Sequence, residues 1–164
     1  YLGGLKLMVP DQQVICRDLP QFENCYYVMA YPGINVSTKA ARDVLPTKYS
    51  RADAITFSQN LATFVDACHR NDKEQAFSVL KDVIAEPYRK NLLPKFEQSK
   101  TYLAEQGHLA IGISGSGPTL FCVSGSLEKA QDAANWLKEN YLQTDSGFVH
   151  VCQVDLAGAG KLPS

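Results

Sequence analysis

Thr38 and Arg42 stand four residues apart in "VSTKAARDVLP" (36–46). The stretch reads as a short helix, capped by Ser37 or Thr38 and ended before Pro46, so the two side chains share one face. Thr38 falls in the first turn, where unpaired amides and the helix dipole favour an anion. Arg42 can add two parallel charge-assisted hydrogen bonds to a carboxylate. The pair therefore has the chemistry of a carboxylate site. It also fits a capping hydroxyl beside a solvated arginine, and spacing alone does not choose. Arg89 is a second candidate cation. It lies in "EPYRKNLLP" (86–94), a proline-bounded stretch that reads as an irregular connector, and such loops often carry ligand contacts. Glu86 and Lys90 beside it receive no role, and Arg51 and Arg70 read as surface charges.

The segment "GISGSGPTLF" (112–121) places Gly112, Ser114, Gly115, Ser116 and Gly117 within six residues, with a β-rich run on either side. A backbone this bare loses much conformational entropy on folding. Three readings compete. One is a tight turn between strands, punctuated by Gly-Pro. A dinucleotide or Walker-type phosphate loop is a second, and it fails, because no GxGxxG opens a helix and no GK[ST] is present. The third is a scaffold loop whose small residues let another backbone approach and whose amides can back a phosphate site. Composition does not separate the first from the third. Neither serine is a nucleophile candidate, since "SGSGP" runs into a strand and not through a GxSxG elbow into a helix.

Other chemistries find little support. His69, His108 and His150 are scattered, no HExxH occurs, and no metal site is expected. Cys16, Cys25, Cys68, Cys122 and Cys152 have neither zinc nor CxxC spacing. They read as small apolar residues, and their odd number suits a reducing, cytoplasmic location. With 16 basic and 17 acidic side chains the net charge is −1, which gives no footprint for nucleic acid or an anionic membrane. No apolar run approaches the roughly 20 residues of a membrane span, and "YLGGLKLMVPDQQ" lacks the features of a signal peptide. The first residue is Tyr1 within a strand-like run, so the chain is expected to be part of a longer protein.

These residues must be positioned by a mixed set of elements. "LGGLKLMV" and "QQVICRDL" are β-rich runs around a "PDQ" turn signal, and "CYYVMAYP" (25–32) is an apolar strand stopped by Pro32-Gly33. Residues 51–70 carry Phe57, Leu61, Phe64, Val65 and Cys68 on one helical face. A further helix is expected over "DKEQAFSVLKDVIAE" (72–86), and another over 94–106 with Gly107 as its C′ residue. Strands flank the glycine turn, Ser126 caps a helix over 127–141, and "GFVHVCQVD" forms the last strand before a loose tail, "LAGAGKLPS". Strands, a block of helices, then strand–turn–strand–helix–strand is an α+β order. We expect one domain over 1–164, an antiparallel sheet with helices packed on one face.

Five ordered segments carry a resemblance. "YLGG", "YPGINVSTKAARDVLP", "DVIAEPYRKNLLP", "GISGSGPTLF" and "GFVH" together resemble the C-terminal domain of the homoserine kinases, members of the GHMP kinase superfamily. The resemblance implies a ferredoxin-like domain and a chain about half the length of its relatives. The missing N-terminal half would hold ATP and Mg²⁺ and the catalytic machinery, leaving no catalytic residue here. It further implies that Thr38, Arg42 and Arg89 contact the substrate amino acid, and that residues 112–117 lie against the phosphate loop. The reaction implied is transfer of the ATP γ-phosphate to L-homoserine, giving O-phospho-L-homoserine for threonine synthesis, by a cytoplasmic enzyme whose relatives are often homodimers. The chain by itself would then be inactive. Two other functions stay open: a kinase for another small alcohol, such as mevalonate or a sugar, and a non-catalytic amino-acid sensor. A sugar offers no carboxylate to the Thr38/Arg42 pair, and a sensor would have no upstream ATP loop.

Overall fold

The computed structural model describes residues 2–9 and 15–160. The "PDQ" turn, Tyr1 and the end of the expected tail lie outside the described residues.

Two antiparallel strands, β1 (Leu5–Val9) and β2 (Ile15–Leu19), pair in register from Leu5 against Leu19. The main sheet has four strands in the order β4-β5-β3-β6. They are β3 (Tyr26–Tyr31), β4 (Ala110–Ile113), β5 (Leu120–Ser124) and β6 (Phe148–Cys152). Every neighbouring pair is antiparallel. Between β3 and β4 lie α1 (Thr38–Asp43), α2 (Arg51–Arg70), α3 (Lys73–Ser78), α4 (Glu86–Arg89) and α5 (Phe96–Glu105), while α6 (Leu127–Asn140) joins β5 to β6. From β3 onward the order is β-α-β-β-α-β, a split βαβ arrangement, and the expected antiparallel α+β architecture is borne out.

Pleat alternation explains how the sheet is covered. Val28 stands opposite Cys122, and Ala30 opposite Leu120. These four form one core with Phe96 and Leu103 of α5 and with Ala130, Ala133, Ala134, Leu137 and Tyr141. The α6 members and Tyr141, which caps the helix, recur at 3, 4, 7 and 11 residues after Ala130, one helical face. Leu127, at the start of the helix, is exposed. The buried Tyr141 hydroxyl donates to Pro118 O at 2.9 Å, anchoring the end of the glycine turn. The other sheet face carries a second, smaller cluster of Cys25, Ala110 and Val123 with Phe77 of α3. Helices α5 and α6 thus cover one face, and α3 reaches part of the other.

Helix limits follow local chemistry. Ser37, Ser50 and Ser126 cap α1, α2 and α6 by accepting from the amides of Ala40, Asp53 and Lys129. Asn71, at φ +55, and Gly107, at φ +74, follow the ends of α2 and α5 in the left-handed conformation. The helix expected to run to residue 86 stops at Ser78. Asp82 takes the amides of Ile84 and Ala85 on one oxygen and of Glu86 on the other, at 2.8, 2.7 and 3.1 Å. Such local side-chain bonds compete with helix continuation. "EPYRKNLLP" is also more regular than a connector: Pro87 lies in the first turn of α4, where a missing amide is tolerated, and a 3₁₀ turn follows over Lys90–Leu92.

Candidate functional site

Helix α1 starts where the sequence places it. Ser37 is the cap, so Thr38 is the first helical residue, exposed, and its hydroxyl has no hydrogen-bond partner among the described residues. Arg42 lies in the last turn, also exposed and without an ion pair among the described residues. The loop before α1 is held firmly. The hydroxyls of Thr144 and Ser146 donate to Gly33 O at 3.0 and 3.2 Å, and the Gln143 amide donates to Pro32 O at 2.8 Å. A Cβ on Gly33, which has φ +85, would stand 2.1 Å from the Thr144 hydroxyl, so this close approach needs glycine.

Arg89 draws the distant segments together. Its Nε donates to Ala41 O in α1 at 3.0 Å, and its Nη1 donates to Gly115 O in the glycine turn at 3.1 Å. The partners lie 48 and 26 residues away in sequence. One guanidinium thus links the helix that carries Thr38 and Arg42 to the turn that carries Gly115. Arg89 thus lies against α1, which also carries the exposed Arg42 and Thr38, and among the described residues neither arginine is ion-paired with an acidic side chain.

The glycine turn is a hairpin loop closed by Ser114 N donating to Thr119 O at 2.8 Å. Its glycines have different reasons. A Cβ on Gly112 would stand 2.8 Å from the Phe121 ring and 3.6 Å from the Glu86 carboxylate, so this position is filled from within the chain. Gly115 has φ +61, which side chains resist. At Gly115 and Gly117 a Cβ would meet nothing within 4 Å among the described residues. The turn therefore presents an open, low-profile surface that a second backbone or a phosphate group could approach. Ser114 and Ser116 flank Gly115 on that turn, both half-buried.

Glu86, given no role from the sequence, is 9% exposed and ion-paired with Lys100 of α5. It opens the helix that Arg89 closes. Pro87 was the available signal, since a proline in the first turn marks a helix start. Lys90 instead pairs with Glu97 at 3.1 Å.

Other candidates stay apart from this surface. Burial raises the thiol pKa of Cys25, Cys68 and Cys152, and pushes Cys122 up to about 12, so these sulfurs are poor nucleophiles. His108 Nδ1 meets the buried Ser124 hydroxyl at 2.8 Å, and His150 is exposed on β6. Among the described residues, no group of three His, Cys, Asp or Glu could hold a metal ion, and no helix is long and apolar enough to cross a membrane. An apolar groove of about 390 Å³ lies between Leu5 and Leu7 of β1, Phe57 and Leu61 of α2, and Ile111 of β4.

The fold and the glycine turn define a class. A family model described as "GHMP kinases C terminal" matches residues 60–143, and the chain belongs to that family. Among solved structures it is similar to homoserine kinase from Cytophaga hutchinsonii, at 31% identity and a TM-score of 0.87 over 95% of this chain and 50% of that one. A putative homoserine kinase from Listeria monocytogenes is 19% identical, with a TM-score of 0.65 over 96% and 51% of the two chains. L. major mevalonate kinase in complex with R-mevalonate is 15% identical, with a TM-score of 0.69 over 94% and 51%. The last two show the fold alone. The chain spans about half the length of each of these proteins.

Proposed function

We propose that this chain is the substrate-side, C-terminal domain of a homoserine kinase, which transfers the γ-phosphate of Mg²⁺-bound ATP to the hydroxyl of L-homoserine and releases O-phospho-L-homoserine. The observation that carries the reading is Arg89 bonded both to α1 and to the glycine turn. It gathers the residues named for the substrate and those named for phosphate support into one surface. Thr38 and the first turn of α1 would meet the carboxylate, with Arg42 and Arg89 supplying charge-assisted bonds. Phosphoryl transfer requires chiefly positioning and electrostatic stabilisation, and this half would contribute the positioning of the acceptor. The open face above Gly115 and Gly117 fits the approach of a phosphate-binding loop from the rest of the enzyme, which would hold ATP and Mg²⁺. A cytoplasmic place in threonine synthesis, and a homodimer, belong to the same reading.

A second reading has its own support in the likeness to mevalonate kinase. Mevalonate also carries a carboxylate, so a cationic pocket does not by itself exclude it. The identity shared with the Cytophaga homoserine kinase favours the amino acid. The test is acceptor competition in the complete enzyme, assaying L-homoserine, mevalonate and a sugar under one set of conditions. Homoserine should be phosphorylated with much the highest kcat/KM. Preference for either other acceptor would overturn the reading, and amino-acid binding with no ATP turnover would make the protein a sensor. The chain by itself should turn over no ATP with homoserine.

A further inference from the structure

We propose that Arg89 is a clasp coupling the amino-acid end of the site to the glycine turn, so that occupation of one strengthens binding at the other. This rests on the reading given under Proposed function, and it assigns Arg89 a duty beyond contacting substrate. Ala41 O belongs to the last turn of α1, where carbonyls lack helical partners and carry the negative end of the dipole. Gly115 O belongs to the one residue of the turn's tip held at φ +61. A guanidinium is planar and its donors have a fixed fork. It satisfies both carbonyls only while helix and turn keep their present separation, with Nε at 3.0 Å and Nη1 at 3.1 Å.

The other end of α4 is anchored. Glu86 is buried and paired with Lys100, and Asp82 holds the three amides that lead into the helix. The start of α4 is thus tied to α5, and the Arg89 side chain at its other end reaches across to two segments that, on the proposed reading, each face one ligand. A carboxylate drawing on α1 and a phosphate loop pressing on the turn both act on the same guanidinium. Ordering by the first ligand then removes part of the ordering required by the second, and by linkage the effect is mutual.

The experiment is calorimetry on the complete kinase, titrating L-homoserine with and without a saturating, non-hydrolysable Mg²⁺–ATP analogue. In the native enzyme the analogue should tighten homoserine binding by a factor within the usual range for coupled sites, about 5- to 150-fold. Arg89→Lys keeps the charge but loses the fork, and the factor should fall to near one. A native factor of one, or an undiminished factor in Arg89→Lys, overturns the clasp. Should Arg89→Lys not fold, Glu86→Gln loosens the anchor and keeps the guanidinium. It should lower the factor in the same direction, and an unchanged factor there also overturns the proposal. Arg42→Ala separates the two ideas. Homoserine binding unaffected by that change sinks the substrate site itself, whereas weakened binding beside an undiminished factor in Arg89→Lys sinks only the clasp.

Discussion

The two faces of the four-stranded sheet are treated differently. Toward α5 and α6 the chain closes a core in which Val28, Leu120, Leu137 and Tyr141 are all 0% exposed. Toward the β1–β2 hairpin and α2, cover is incomplete. Phe57 and Leu61 remain 46% exposed along the groove, and α2 fully buries only Ala67 and Cys68. The candidate site residues lie on α1, at the end of α4 and in the glycine turn, where Thr38, Arg42 and Gly115 are likewise exposed. A closed face gives stability without reference to any partner. An open face leaves groups uncovered, as the proposed carboxylate pocket and phosphate surface would also require.

Truncation should expose the contrast most strongly. Leu137→Ala removes a fully enclosed side chain and should destabilise the protein by roughly 2–5 kcal/mol. Phe57→Ala, although it deletes more atoms, should cost below about 1 kcal/mol, as surface changes usually do. Chemical denaturation of both variants measures the gap, and equal losses would erase the distinction between the faces.

A smaller effect sharpens the comparison within a single loop. Gly112→Ala drives a methyl against the Phe121 ring, an overpacking that should destabilise by roughly 1–3 kcal/mol. Gly117→Ala meets nothing within 4 Å among the described residues and should leave stability within about 0.5 kcal/mol, while lowering kinase activity in the complete enzyme. Thermal melts read beside an activity assay separate the two. A stable, fully active Gly117→Ala enzyme would remove the glycine turn from the phosphate site.

The smallest effect belongs to the closed side. Burial first, then the Lys129 charge, lowers the His108 pKa below its usual 6.5, with Asp132 opposing. The folded state therefore binds fewer protons than the unfolded state as pH falls through about 6.5. The stability linked to His108 is fully present above that pH and is lost as the pH falls toward the depressed folded value. Replacing His108 with Asn should flatten this part of the stability profile, measured by denaturation from pH 7 down to 5. An unchanged slope would mean that another group carries it.

Much of the closed side was legible from sequence, because its information is local and periodic. The α6 stripe and the serine caps can be read along the chain. The same periodicity put Phe57 and Leu61 on one face of α2, and that face lines a groove. Periodicity marks a face and says nothing about what covers it. Helix α3 stops at Ser78, and beyond it one Asp82 carboxylate takes three amides that a continued helix would need, a competition that propensity does not register. At the site, the residue types and the Thr38–Arg42 spacing were visible. The Arg89 bridge was not, since its partners are backbone carbonyls 48 and 26 residues away and carry no side-chain signature. The Glu86–Lys100 pair was hidden similarly, its members belonging to different helices.

The most direct test of the proposed carboxylate pocket pairs a variant with a trimmed substrate. In the complete kinase, kcat/KM would be measured for L-homoserine and for aminopropanol, which lacks only the carboxylate, with native enzyme and with Arg42→Ala. Loss of a charge-assisted bond of roughly 1.5–3 kcal/mol should lower the homoserine value by about 10- to 150-fold and leave the aminopropanol value unchanged. Equal losses for both acceptors, or no loss for homoserine, would contradict a site in which Arg42 grips the acid group.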